Sequence, residues 1–129
     1  MSFARAAFAA VAIVAMAAPA QAAEQKDFST AAFAAAQAQG KPILVDVAAW
    51  WCPVCASQIS TIRKIIAAPE YSQLIIFKIN YDKQKAEWKS FGVMKQGTLI
   101  AYRGKKETGR LAFQTDKTQI AALLASAIR

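Results

Sequence analysis

The sequence predicts a single α/β domain, a central mixed β-sheet flanked by helices, and three observations predict it. Apolar, β-branched runs at residues 43–48 and 74–79 read as buried strands, and a stretch of helical spacing separates them. Two more short runs, residues 98–102 and 107–113, face each other across Arg103-Gly104-Lys105 as a hairpin. The 129 residues allow one such domain and not comfortably two.

The first 22 residues are set apart from that domain. Arg5 supplies a positive start, residues 6–18 are an unbroken run of small apolar residues, and Ala20-Gln21-Ala22 is an A-x-A cleavage pattern. That order describes a secretory signal peptide. The run is too short for the roughly 20 residues of a membrane-spanning helix, and no cysteine follows it for lipid attachment, so no stable membrane anchor is expected. The expected division is residues 1–22 as signal peptide and 23–129 as the domain, with a periplasmic or secreted location.

Within the domain, Ser29 can cap a helix that passes through Phe33 and ends at Gly40. Lys41-Pro42 leads into the first strand, and from Pro53 a helical pattern runs until Pro69 stops it. After the second strand, Asp82 is expected to cap a short helix over residues 83–91, closed by Gly92. Asp116 caps a last helix with Ile120, Leu123, Leu124 and Ile128 on one stripe. The expected order is α-β-α-β-α-β-β-α.

Composition narrows the chemistry. Histidine is absent, which removes Cys-His and Ser-His catalysis and disfavours most zinc sites. The formal charge of +8 reads as a solvated basic surface. No basic run exceeds Lys105-Lys106, so nucleic acid is not an expected partner. Both cysteines lie in one Cys52-Pro53-Val54-Cys55 motif. A zinc site would need a second ligand pair, and haem attachment would need His where Ala56 stands. A disulfide across so short a loop stabilises by only about 2 kcal/mol in the chain-entropy estimate, so the spacing speaks for exchange rather than for a staple.

Placement on the helix separates the two thiols. Cys55, Ile59, Ile62 and Ile66 fall at i, i+4, i+7 and i+11, a stripe expected to face the core and bury Cys55. Cys52 sits at the helix start, where it is expected to reach water and where free N–H groups and the helix dipole favour thiolate over thiol. Pro53 suits the first turn, which has a spare N–H. The expected roles are Cys52 as nucleophile and Cys55 as resolving thiol. Asp46 is a carboxylate in the middle of an apolar strand. It is either a strand-edge residue facing solvent or, as favoured here, a proton acceptor serving Cys55.

The segments Ile43-Leu44-Val45-Asp46 and Trp51-Cys52-Pro53-Val54-Cys55 resemble the thioredoxin family, with the Asp six positions before the first Cys and a Trp directly before it. Phe91-Gly92-Val93 and Thr98-Leu99-Ile100 look like the family's later Tyr-Gly-Ile and Thr-Leu-Leu segments, so the resemblance covers essentially the whole domain. Gly40-Lys41-Pro42 is similar to the C-terminal domain of the periplasmic interchange protein DsbD and to single-domain exported relatives. The resemblance implies a thioredoxin-like fold and dithiol–disulfide exchange with protein substrates, without a bound cofactor or metal. It favours the reducing side, with electrons from a membrane-bound donor of DsbD type, and a monomer is expected. A disulfide-forming oxidant, and a docking or chaperone module with a closed pair, are the alternatives.

Two departures from the family stand out. Gly97 occupies the place of a cis-proline, and Pro-Val stands between the cysteines where thioredoxin has Gly-Pro. The resemblance implies that Gln96, Gly97 and Thr98 form a backbone edge for substrate, with Trp51, Pro53 and Val54 on the rim. Trp50 reads equally well as rim or packing, and Trp88 as filler. Without a proline ring the site is expected to be more open, with a trans Gln96–Gly97 bond and some tendency of reduced Cys52 to take a soft metal. Gly97→Pro is then expected to raise turnover.

Overall fold

A computed structural model describes residues 2–17 and 22–129. The element order is β1 (Glu24–Asp27), α1 (Thr30–Ala38), β2 (Pro42–Ala48), α2 (Pro53–Ile65), a 3-10 turn (Pro69–Tyr71), β3 (Ile75–Asn80), α3 (Lys85–Ser90), β4 (Thr98–Arg103), β5 (Lys106–Ala112) and α4 (Lys117–Ile128). The five strands lie in the order β1-β3-β2-β4-β5. β1, β3 and β2 run parallel, while β4 and β5 add antiparallel. This is the expected mixed sheet flanked by helices, with β1 as an addition. Glu24-Gln25-Lys26-Asp27 carries no apolar signal, and tertiary pairing alone makes it a strand: its backbone matches Ile75 to Lys78 along an open sheet edge.

The period of two along the strands sorts side chains into two layers. Ile43, Val45 and Val47 point with Phe77, Ile79, Ile100 and Tyr102 towards α1 and α3. There Phe33 meets Phe91 at 5.3 Å and Tyr102 at 5.4 Å between ring centroids, both edge to face. Leu44, Ile76, Leu99 and Ala101 point the other way, against Ile62 of α2 and Ile120, Leu123 and Leu124 of α4. Each wholly buried Leu or Ile contributes about 1.5–3 kcal/mol.

The expected caps hold at two helices. Ser29 accepts the Ala32 N–H at 3.1 Å and Asp116 the Gln119 N–H at 2.8 Å. At α3 the reading is corrected. The helix is shorter than expected, its N-cap is Gln84 with no side-chain hydrogen bond, and Asp82 is turned elsewhere. Asn80 wins the local competition, because its Oδ1 accepts from the N–H groups of both Asp82 and Lys83 at 3.0 Å.

Residues 2–17 form neither helix nor strand, and their apolar side chains, Phe3 and Phe8 among them, are exposed. Of the expected cleavage pattern, Ala20 and Gln21 lie outside the described residues. Among the described residues no helix is long and apolar enough to cross a membrane.

Candidate functional site: a cysteine pair at a helix start

β2 delivers the chain to the top of the sheet, and α2 begins there with the cysteine motif. Cys52 and Cys55 form a disulfide, their Cα atoms 5.2 Å apart. Cys52 is the N-cap of α2, and its Sγ accepts the Cys55 N–H at 3.1 Å, as a Ser or Asp cap would. Pro53 follows at N1. The pair packs with Ala49 and against Ala48, Val54 and Tyr81.

The expectation that Cys52 reaches water is corrected: it is 3% exposed, against 1% for Cys55. The cap geometry turns its sulfur inward over the first turn of α2, and the neighbouring apolar side chains close around it. The expected stripe is also revised. Cys55 and Ile62 are buried, but Ile59 and Ile66 are half-buried, and Gln58 and Thr61 take the inner positions. Helix α2 is therefore rotated so that its i+3 neighbours, rather than i+4, face inward from Cys55.

Asp46 is buried on central strand β2, which removes the solvent-facing edge reading. It shares the face of Leu44, towards α2, and is in register with Lys78 of β3 and Leu99 of β4. Among the described residues its Oδ1 has no hydrogen-bond partner. Burial pushes its pKa up from 3.8 to about 6, while the Lys78 charge pulls it part of the way back. Asp46, Ile59 and Lys78 line one cleft of about 640 Å³, with Ala48, Ala49 and Trp50 at its upper end. The carboxyl thus lies on the face of the sheet that carries α2, in a cleft it shares with Ala49, a residue packed against the cysteine pair.

The two adjacent tryptophans part ways. Trp51 is half exposed at the rim, and its indole N–H is bound by both Asp82 oxygens, at 2.9 and 3.2 Å. This is where the carboxylate expected to cap α3 is spent. Trp50 is 92% exposed. Trp88 is core: it stacks on Tyr81 at 4.9 Å and donates to the Tyr81 carbonyl at 2.8 Å.

Gln96, Gly97 and Thr98 enter β4 beside the pair, and Val54 reaches to 3.4 Å from where a Cβ on Gly97 would stand. The Gln96–Gly97 bond is trans, as expected. Gly97 has φ +78°, and its N–H donates to the Val47 carbonyl at 2.7 Å. Proline could supply neither, since its ring holds φ near −65° and it has no N–H. The backbone at Gly97 thus argues against the expectation that Gly97→Pro raises turnover. The expected openness is corrected as well, because the Phe113 ring lies 3.2 Å from that same Cβ position. Thr98 is buried and donates to the Lys95 carbonyl at 2.9 Å.

Sequence reasoning missed Gln58, Asp82 and Phe113. Gln58 carried a signal: it sits at i+3 from Cys55, a position the apolar stripe had to share. Phe113 carried none, since its place beside Gly97 comes from the register of β5.

A family model for thioredoxin matches residues 24–126. The chain is 29% identical to a thioredoxin of Alicyclobacillus acidocaldarius over 89 residues, which is 69% of this chain and 84% of the relative. Among solved structures, Trxlp of Edwardsiella tarda is 42% identical, with a TM-score of 0.75 over 78% of this chain and 98% of that one. The thioredoxin of Malassezia sympodialis, 17% identical, shares the fold with a TM-score of 0.70 over 84% and 95% of the two chains. With its mixed sheet and its Cys52–Cys55 disulfide at a helix start, this chain belongs to the thioredoxin family.

Proposed function

We propose that the protein is an exported thiol–disulfide oxidoreductase that works on the reducing side, passing electrons from a membrane-bound donor to protein disulfides. The observation that carries the redox reading is the cap contact: an N–H at the positive end of α2 donates to the Cys52 sulfur and not to that of Cys55. In the reduced protein the same contact favours a Cys52 thiolate.

The steps follow from that asymmetry. The Cys52 thiolate attacks one sulfur of a substrate disulfide, forming a mixed disulfide and releasing the other sulfur as a thiolate that takes a proton. Asp46 accepts the Cys55 proton, directly or through water in the cleft. The Cys55 thiolate attacks the Cys52 sulfur, closes the Cys52–Cys55 bond and expels the second substrate thiolate. The substrate gains two electrons, and the protein returns to its disulfide form. Trp51, Pro53, Val54 and the Gln96-Gly97-Thr98 edge form the surface on which the substrate docks.

Export is supported by the signal-like leader and by the exposure of the apolar side chains of residues 2–17. Direction rests on the resemblance to exported reducing relatives. A disulfide-forming oxidant is the second reading. The reduction potential of the couple decides between them: a value near thioredoxin's ~−270 mV supports the reductant, and one near ~−120 mV the oxidant. An insulin-reduction assay tests activity as such, and its failure with fully reduced protein would leave only a binding module.

A further inference from the structure

Three groups converge where a side chain on residue 97 would stand: Phe113 Cδ2 at 3.2 Å, Val54 Cγ1 at 3.4 Å and Gln58 Oε1 at 3.7 Å from the ideal Cβ position. Gln58 is fully buried, an unusual place for an amide. Its Nε2 donates at 2.9 Å to two carbonyls, Gly97 and Gln114. Those two residues bracket the contact made by Phe113, whose own N–H donates to the Gly97 carbonyl at 2.8 Å. One amide on the redox helix therefore ties down both sides of the docking edge.

Phe113 pays for its position with backbone strain. It has φ +59°, and among the described residues it is the single non-glycine at positive φ. For a bulky side chain that region is disfavoured, and such outliers gather where function holds them. The ring is still 41% exposed. Strain that holds a half-exposed ring against Gly97, at the entry to β4, has little to offer the core. Lys95, next to Gln96, places its ammonium 3.8 Å from the ring centroid.

We infer that Gln58 is a positioning residue for the docking edge, and that the Phe113 ring it orients selects the partner. The occupant is an extended protein segment whose half-cystine is flanked by an apolar side chain, to lie on Phe113, and by a carboxylate, to meet Lys95. Charge favours that choice, since the chain carries +8 and the rim cation already sits over the ring. The inference rests on the redox reading proposed above and deepens it.

The test uses reduced wild-type protein, Gln58→Met and Phe113→Gly, with two disulfide-linked peptides of equal length. One has Leu and Glu beside the half-cystine; the other has Gly and Gln there. Wild type should prefer the first, and each variant should lose about tenfold of that preference in kcat/KM, through KM rather than kcat. Phe113→Gly should also melt at or above the wild-type temperature, because glycine relieves the strain. A merely structural role would lower both peptides equally and lower the melting temperature of Phe113→Gly. Wild-type turnover with no preference, or with a preference that both variants retain, overturns this inference alone. If wild-type protein reduces neither peptide, the redox reading fails and takes this inference with it.

Discussion

At the scale of single residues, the site depends on two side chains held against their usual preferences. Cys52 is buried yet capped by an N–H that favours its charged form, and Asp46 is buried with one oxygen unpaired. Replacing Cys55 with Ser should leave Cys52 able to attack and unable to release, so mixed disulfides accumulate and can be identified by mass spectrometry. Accumulation in Cys52→Ser instead would reverse the two roles. Asp46 makes a prediction with a sign. Its folded pKa, about 6, lies above the ordinary aspartate value of 3.8, so the folded state binds the proton more tightly. The resulting stabilisation is complete below about pH 4 and lost as pH rises through 6; over a shift of about two units it amounts to roughly 3 kcal/mol. Asp46→Asn should therefore gain on the order of 2 kcal/mol at pH 7 and little at pH 4, while slowing resolution of the mixed disulfide above pH 6. Denaturant melts from pH 4 to 8, paired with exchange kinetics, measure both. Lowered stability with unchanged kinetics would make Asp46 a structural residue.

At the scale of elements, the entry to β4 is held by three elements at once. Gly97 adopts a positive φ, its N–H holds β2 at Val47, and Phe113 and Gln58 close the space beside it. Gly97→Pro must break the hydrogen bond and change φ, and should destabilise by more than about 1 kcal/mol. Gly97→Ala keeps the N–H but carries a Cβ into the left-handed region, at a cost of about 1–2 kcal/mol. Urea melts of the two variants measure both losses. A Gly97→Pro protein as stable as wild type would mean that the loop has a second conformation open to it.

At the scale of the whole molecule, residues 2–17 and the residues from Glu24 on differ in burial. The apolar side chains of residues 2–17 are exposed, whereas β1 begins at Glu24 and Phe28 packs in the core. A chain starting at Ala23 should melt within a degree or two of the full chain, since surface changes away from such features are worth about ±0.5 kcal/mol or less. One starting after Phe28 should lose the edge strand and about 1.5–3 kcal/mol from that ring alone. Calorimetry on the two truncations tests this. Equal loss in both would show that the leader contributes to the fold.

The sequence by itself determined the fold class, the hairpin, the caps at Ser29 and Asp116 and the cysteine pair with its neighbouring Asp46. All of these rest on local pattern: periodicity, turn residues and short motif spacing, which physics reads over a few neighbouring positions. Beyond the reach of any local window were β1, which exists because an open edge of β3 was there to pair with, and Asp82, drawn from a helix cap to an indole 31 residues away. The same holds for Gln58 and Phe113, which meet at Gly97 from α2 and from the end of β5. Whether Cys52 faced water was likewise settled by packing, because the rotation of α2 about its axis depends on what the sheet and α4 leave room for, and no helix carries that information alone.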